Sequence, residues 1–212
     1  MVRLQRLSPA CEHGTVAAMR GPAPTLPSAP GQLTTEQYLR LVELGVLRPE
    51  DRVELLEGVV VAMAHGIDHA AGVRRVDYAL KHAVGDRAVV QVQLSLVQGE
   101  HSVPEPDVAV LPGRLEDYDH VHPSGALLVV EVADWSLPQD RLTKGAIYAR
   151  NGVREYWIVN LRDQCVEVLR EPRPDTWTWA SWTTARRGEV LAPLAFPDAR
   201  IPVDALLPAR QS

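Results

Sequence analysis

Sulfur and phenylalanine are scarce in this chain. Two cysteines, Cys11 and Cys165, and one phenylalanine stand among its 212 residues. Two cysteines so far apart make neither a disulfide framework nor a CxxC metal motif, and a reducing cytoplasm is the expected setting. No apolar run approaches the ~20 residues that a bilayer-spanning helix needs, so no membrane attachment is expected. Arg3 and Arg6 are followed by no continuous apolar segment, so a secretory signal is not expected. An excess of positive charge is missing too. The formal net charge is −5, so no global field draws in nucleic acid, and only a local basic groove could serve that role.

What is present suits one folded domain with tails. Residues 1–31 are rich in Pro, Ala and Gly and end in GPAPTLPSAPG; they read as a flexible leader. Translation could start at Met1 or Met19. Residues 32–206 read as a single domain and 207–212 as a tail.

Thr34 and Gln37 form a capping box ahead of the helical spacing of Tyr38, Leu41, Val42 and Leu44. VELLEGVVVAM predicts a hairpin turning at Glu57-Gly58. From Ile67 to Val84 the residues Ala70, Val73, Val76, Leu80 and Ala83 line one side of an amphipathic helix. From Ala88 to Val97 the period becomes two, with Val90, Val92, Leu94 and Leu96 against Gln91, Gln93 and Ser95, as in a half-buried strand. Short strands follow over 107–111 and 127–132, a helix over 140–150 closed by Asn151-Gly152, and strands over 155–160 and 166–170. A tryptophan-rich hairpin and an extended segment close the chain. Trp177, Trp179 and Trp182 read as packing residues rather than stacking platforms. The order of elements predicts a mixed α/β (α+β) fold: a central mixed sheet flanked by helices, with an added N-terminal helix and hairpin and C-terminal strands.

Glu131 is the least comfortable residue. An ionised carboxylate within LLVVEV loses hydration and needs a compensating charge. A cation would supply it, and Asp107, heading the preceding strand, could share that ion, because neighbouring strands lie about 4.8 Å apart. Mg2+ suits such a pair: it takes oxygen ligands, needs only one or two carboxylates and retains waters, one of which can attack. Mn2+ is the natural substitute. Lys144 shares a helix face with Asp140 and Tyr148, four residues to either side, and an ammonium there could orient the water or offset phosphate charge.

These residues also resemble a known family. VELLEG looks like an opening Glu-Leu-x-Asp-Gly element, His69 matches a helix-start histidine, and Pro106-Asp107 matches a PD pair. VVEVAD matches the acidic strand, DRLTK an Asp-x-x-x-Lys segment, and YARNGVREYWIVN a signature helix and strand. The chain is thereby similar to the bacterial putative restriction endonuclease family within the PD-(D/E)xK nuclease superfamily. The resemblance implies a restriction-endonuclease-like core, Mg2+ at Asp107 and Glu131, and Lys144 as the catalytic lysine. The lysine usually lies two residues after the acidic one, where this chain has Ala133; here it sits on the next helix. Glu57 stands where the family has Asp, and Val59 where an acidic residue is common.

The expected function is therefore a Mg2+-dependent endonuclease acting on DNA, with the Val132 carbonyl as a further metal ligand and dimerisation expected because two strands need two sites. Glu54, Glu57, His69, Gln91 and Asp140 are supporting candidates. Each has a plainer role as well: turn residues for Glu54 and Glu57, helix caps for His69 and Asp140, a solvent-facing strand residue for Gln91. Two alternatives remain: a catalytically silent dimeric binding or regulatory module on the same fold, and a hydrolase of a small phosphorylated substrate.

Overall fold

The Thr34 hydroxyl accepts the Gln37 N–H at 3.2 Å while the Gln37 side-chain oxygen accepts the Thr34 N–H at 2.9 Å. This reciprocal box starts α1 (Thr35–Glu43) where its sequence predicts. The structure, a computed structural model, describes residues 31–63 and 66–209. The leader up to residue 30, Met19 and the last three residues of the tail lie outside the described residues.

β1 (Val53–Leu56) and β2 (Val59–Ala62) pair antiparallel around Glu57 and Gly58, whose φ values of 48° and 79° are both left-handed. That is the turn geometry that matches strand twist in a two-residue hairpin. Glycine is doubly required at 58, since an added Cβ would come within 2.8 Å of Gln32 Cβ.

α2 (Ile67–Val84) buries Val73, Val76, Leu80 and Val84. The main sheet holds β3 (Val89–Val92), β4 (Val108–Leu111), β5 (Leu128–Ala133), β6 (Glu155–Asn160), β7 (Cys165–Arg173) and β8 (Thr178–Arg186), side by side in chain order. All neighbours are antiparallel except β5 and β6. A parallel pair cannot be joined by a tight turn; here a helical rod over 137–150 makes the crossover. It comprises α3 (Leu137–Gln139), a π-helical turn (Asp140–Lys144) and α4 (Gly145–Arg150). β9 (Val190–Leu191), β10 (Ile201–Pro202) and α5 (Val203–Leu206) close the described chain.

Alternation along the strands divides the core in two. Val108, Val110, Val130, Val132, Trp157 and Val159 pack toward α2 and α5. Ala109, Leu111, Val129, Ala133, Tyr156 and Ile158 join Tyr148 of α4 on the other face. The mixed α+β class and the central mixed sheet are thus as expected from the sequence.

Three local expectations are corrected. The strand expected over 88–97 pairs only to Val92, because Gln93 turns left-handed (φ 47°) and gives its N–H to the Pro106 and Asp107 carbonyls. The helix expected from Asp140 begins at Leu137, so Asp140 lies inside the rod and does not cap it. Of the clustered tryptophans only Trp179 packs inward, 6.0 Å from the Tyr156 ring and donating to the Gly145 carbonyl at 3.0 Å; Trp177 and Trp182 are about half exposed.

Candidate active site

Val108 of β4 lies opposite Val130 of β5. Carrying this register one step beyond the start of β4 sets Asp107 opposite Glu131. The two carboxylates meet there: the Asp107 N–H donates to Glu131 Oε2 at 3.4 Å, and the Val132 N–H donates to Asp107 Oδ2 at 2.8 Å. Glu54 arrives from β1, held by the bridge between Leu55 and Val103, and its Oε2 accepts the Glu105 N–H at 3.0 Å.

The crossover rod supplies the cation. Lys144 Nζ lies 3.0 Å from Glu131 Oε1 and 3.2 Å from Glu54 Oε1, and all three side chains are buried. One turn on, the Tyr148 hydroxyl donates to the same Glu131 Oε1 at 2.9 Å. Asp140 and Lys144 bound the π-helical turn, a distortion that often marks functional sites because it re-aims side chains. The lysine displaced from the strand to the next helix therefore reaches the carboxylates.

α2 adds His69 from the opposite side of the sheet. Gly72 lets the helix press onto β5; an added Cβ there would meet Val132 Cγ1 at 2.6 Å. One turn earlier, His69 Nδ1 lies 2.8 Å from the Val132 carbonyl and Nε2 lies 3.0 Å from Asp107 Oδ1. An imidazole facing an acceptor from both nitrogens is best served by its doubly protonated form.

The surrounding charges pull the ionisable groups apart. Burial pushes the Glu131 carboxyl well up; Lys144 opposes this, while the Asp107, Asp140 and Glu54 charges add to it. Asp107 moves the other way: burial would raise it, but His69, the Val132 N–H and Lys144 together hold it below the usual value. Burial lowers the His69 imidazole, yet the Asp107 hydrogen bond and charge, the Val132 carbonyl and Asp140 leave it raised. Burial likewise works against the Lys144 ammonium, but Glu131, Glu54, Asp140 and Asp107 keep it firmly charged. Asp140 is raised to about 6, chiefly by burial, and Glu105 is raised by burial and by Glu54.

Glu54, Glu105, Asp107, Glu131 and Asp140 line one cavity of about 230 Å³ together with Lys144 and His69. Five carboxylates thus face one ammonium and one imidazole. Asp140 Oδ2 is buried with no hydrogen-bond partner among the described residues. Among the described residues no three acidic, imidazole or thiol groups form a ready ligand cluster. An oxygen-rich, acid-heavy pocket with two carboxylates on adjacent strands nevertheless fits Mg2+, which needs few protein ligands and keeps its waters.

The structure thus brings Asp107, Glu131, Lys144, Glu54, His69, Asp140 and the Val132 backbone to one place. Two supporting candidates lie elsewhere. Glu57 accepts from Arg150 at 2.7 Å and Ser102 at 3.3 Å, turned outward by its left-handed backbone. Gln91 donates to the Leu94 and Ser95 carbonyls. The glutamine that reaches Asp107 is Gln93, with Nε2 donating to Oδ1 at 3.2 Å, a consequence of the turn that ends β3. Tyr148 and Glu105 were not foreseen as members of the site, although Tyr148 lies one turn from Lys144 on the same helical face and Glu105 precedes the PD pair.

A family model described as "Putative restriction endonuclease" (Uma2) matches residues 35–204. Among solved structures, a protein titled a putative nuclease belonging to DUF820, from Anabaena variabilis, superposes with a TM-score of 0.64 at 19% identity, covering 82% of this chain and 97% of that one. At that identity the likeness is one of fold. No curated protein matches the sequence. Among the described residues no helix is long and apolar enough to cross a membrane.

Proposed function

The chain belongs to the family described as "Putative restriction endonuclease", and from that membership we propose that it is a Mg2+-dependent endonuclease hydrolysing phosphodiester bonds in DNA. The observation that carries the reading is the buried Lys144 ammonium 3.0 Å from Glu131, beside Asp107, at the meeting of β4, β5 and the crossover rod.

Asp107 and Glu131 are the residues that would hold the ion, with the Val132 carbonyl as a further oxygen. Mg2+ would supply Lewis-acid stabilisation of the phosphate and a water of lowered pKa. Lys144, kept charged by the surrounding acids, orients the nucleophile and offsets charge developing on the phosphate oxygens. His69 and Gln93 fix the Asp107 carboxylate from one side and the Val132 N–H fixes it from the other. Tyr148 fixes Glu131. Such support matters because misplacement by about 1 Å can cost a hundredfold in rate.

The test is nicking of supercoiled plasmid with Mg2+. Wild type is expected to nick, while Asp107→Ala, Glu131→Ala and Lys144→Ala lose at least about a hundredfold in rate. Equal nicking by wild type and Asp107→Ala would assign the activity to a contaminant. Hydrolysis of bis-p-nitrophenyl phosphate without any cut in DNA would redirect the reading to a small phosphorylated substrate.

A further inference from the structure

Immediately beyond β5 the chain leaves the sheet through Asp134 and Trp135. Trp135 is 82% exposed, the most exposed of the large aromatic side chains, although it lines the same cavity as Asp107, Glu131 and Lys144. A single exposed indole is ordinary in itself; what sets this one apart is its place in the lining of the acidic cavity. One ring face is already covered: the Arg162 guanidinium, from the turn between β6 and β7, lies 4.4 Å from the ring centroid. Arg162 is steered there by Asp134, with Nε 3.5 Å from Oδ1. Among the described residues its two terminal Nη groups donate to no protein oxygen. The indole thus has a cation over one face while most of its surface stays exposed.

This arrangement differs from the other exposed indoles. Trp177 also has an arginine over its ring, Arg150 at 4.9 Å, but it does not line the acidic cavity. Among the described residues only Trp135 combines high exposure, a cationic backing and a place in the lining of the candidate active site.

We propose that Trp135, backed by Arg162, is a stacking subsite for an unpaired nucleobase adjoining the scissile phosphate. The inference rests on the nuclease reading and adds to it a substrate class: a strand whose base is free to leave the duplex stack. A π-face accepts any base, so the platform grips without reading sequence. The Nη donors of Arg162 are left to serve an adjoining phosphate, a partner that guanidinium groups favour. The step is binding alone, with no bond made or broken at Trp135.

The test uses the full chain and a fluorescein-labelled single-stranded DNA oligonucleotide, with Ca2+ for binding and Mg2+ for cleavage. Trp135→Ala is expected to raise Kd and KM about tenfold, within the range for loss of one stacked base, while kcat stays within about twofold. Trp135→Phe restores most of the affinity. An oligonucleotide carrying abasic positions loses affinity for wild type but not for Trp135→Ala, a coupling that a merely structural role would not produce. Unchanged circular dichroism and melting of both variants rule out misfolding as the cause. Equal Kd for wild type and Trp135→Ala with intact cleavage overturns the platform and leaves the nuclease reading standing; wild type that nicks plasmid but neither binds nor cuts the oligonucleotide does the same, and wild type inert on both substrates overturns both.

Discussion

Lys144 Nζ and Glu131 Oε1 are 3.0 Å apart, and both side chains are buried. The cation comes from the crossover rod and the anion from the central strand, so this one contact couples the two halves of the site. Its partners are unequal. The ammonium is stabilised by four carboxylates, whereas the Glu131 carboxyl is pushed well up by burial and by its acidic neighbours.

That inequality predicts unequal outcomes for two substitutions. Lys144→Met removes the cation that several buried carboxylates rely on and should cost about 3–5 kcal/mol. Glu131→Gln removes a carboxyl that burial and its acidic neighbours already shift toward the protonated form, so it should cost less stability than Lys144→Met. Both abolish nicking. Urea denaturation with a parallel plasmid assay reads both effects, and a Lys144→Met protein as stable as wild type would show the pair to be energetically idle.

Asp140 gives a pH dependence whose sign can be worked out. Its folded-state value of about 6, against 3.8 for the ordinary group, means that the folded protein holds this proton more tightly than the unfolded chain. The resulting stability is fully present below about 3.8 and is lost as pH rises through about 6. Asp140→Asn should therefore be more stable than wild type at pH 8, by at most about 3 kcal/mol, with no such advantage at pH 3.5. Urea midpoints at the two pH values make the comparison; an equal difference at both would mean that Asp140 does not carry the effect.

Gly72 is where α2 touches β5. Alanine there puts a methyl within 2.6 Å of Val132 Cγ1, and relief of the clash requires helix and strand to separate. A loss of about 1–3 kcal/mol is expected from overpacking. The displaced helix would also withdraw His69 from Asp107, so activity should fall more than the folded fraction does. Nicking rates normalised to folded protein check this.

Cation binding should be visible without turnover. Five carboxylates lining one cavity repel one another, and an ion bound there stabilises the folded state by about 2.7 kcal/mol at a hundred times its Kd. Mg2+ should raise the melting temperature of wild type in a concentration-dependent way that a chelator reverses. The same titration should leave Asp107→Asn unmoved. A similar rise in both would place the ion elsewhere on the surface.

Much of this molecule was decided close to home along the chain. The Thr34–Gln37 box, the Glu57-Gly58 turn, the span of α2 and the carboxylate within LLVVEV are local patterns, and local patterns are legible because neighbouring residues settle them. The strand start at Asp107 and the strand interior at Glu131 belong with these, whereas Lys144 is singled out by the family resemblance together with its helix face. Tertiary structure decided the rest. Gln93 and not Gln91 reaches Asp107 because a left-handed residue ends β3 after four paired positions. Glu54 and not Glu57 joins Lys144 because Arg150, distant in sequence, captures Glu57. Asp140 faces the cavity because the rod begins one turn early and passes through a π-helical turn. Each of these outcomes depends on which distant element packs against the residue, a three-dimensional competition that periodicity along the chain does not encode.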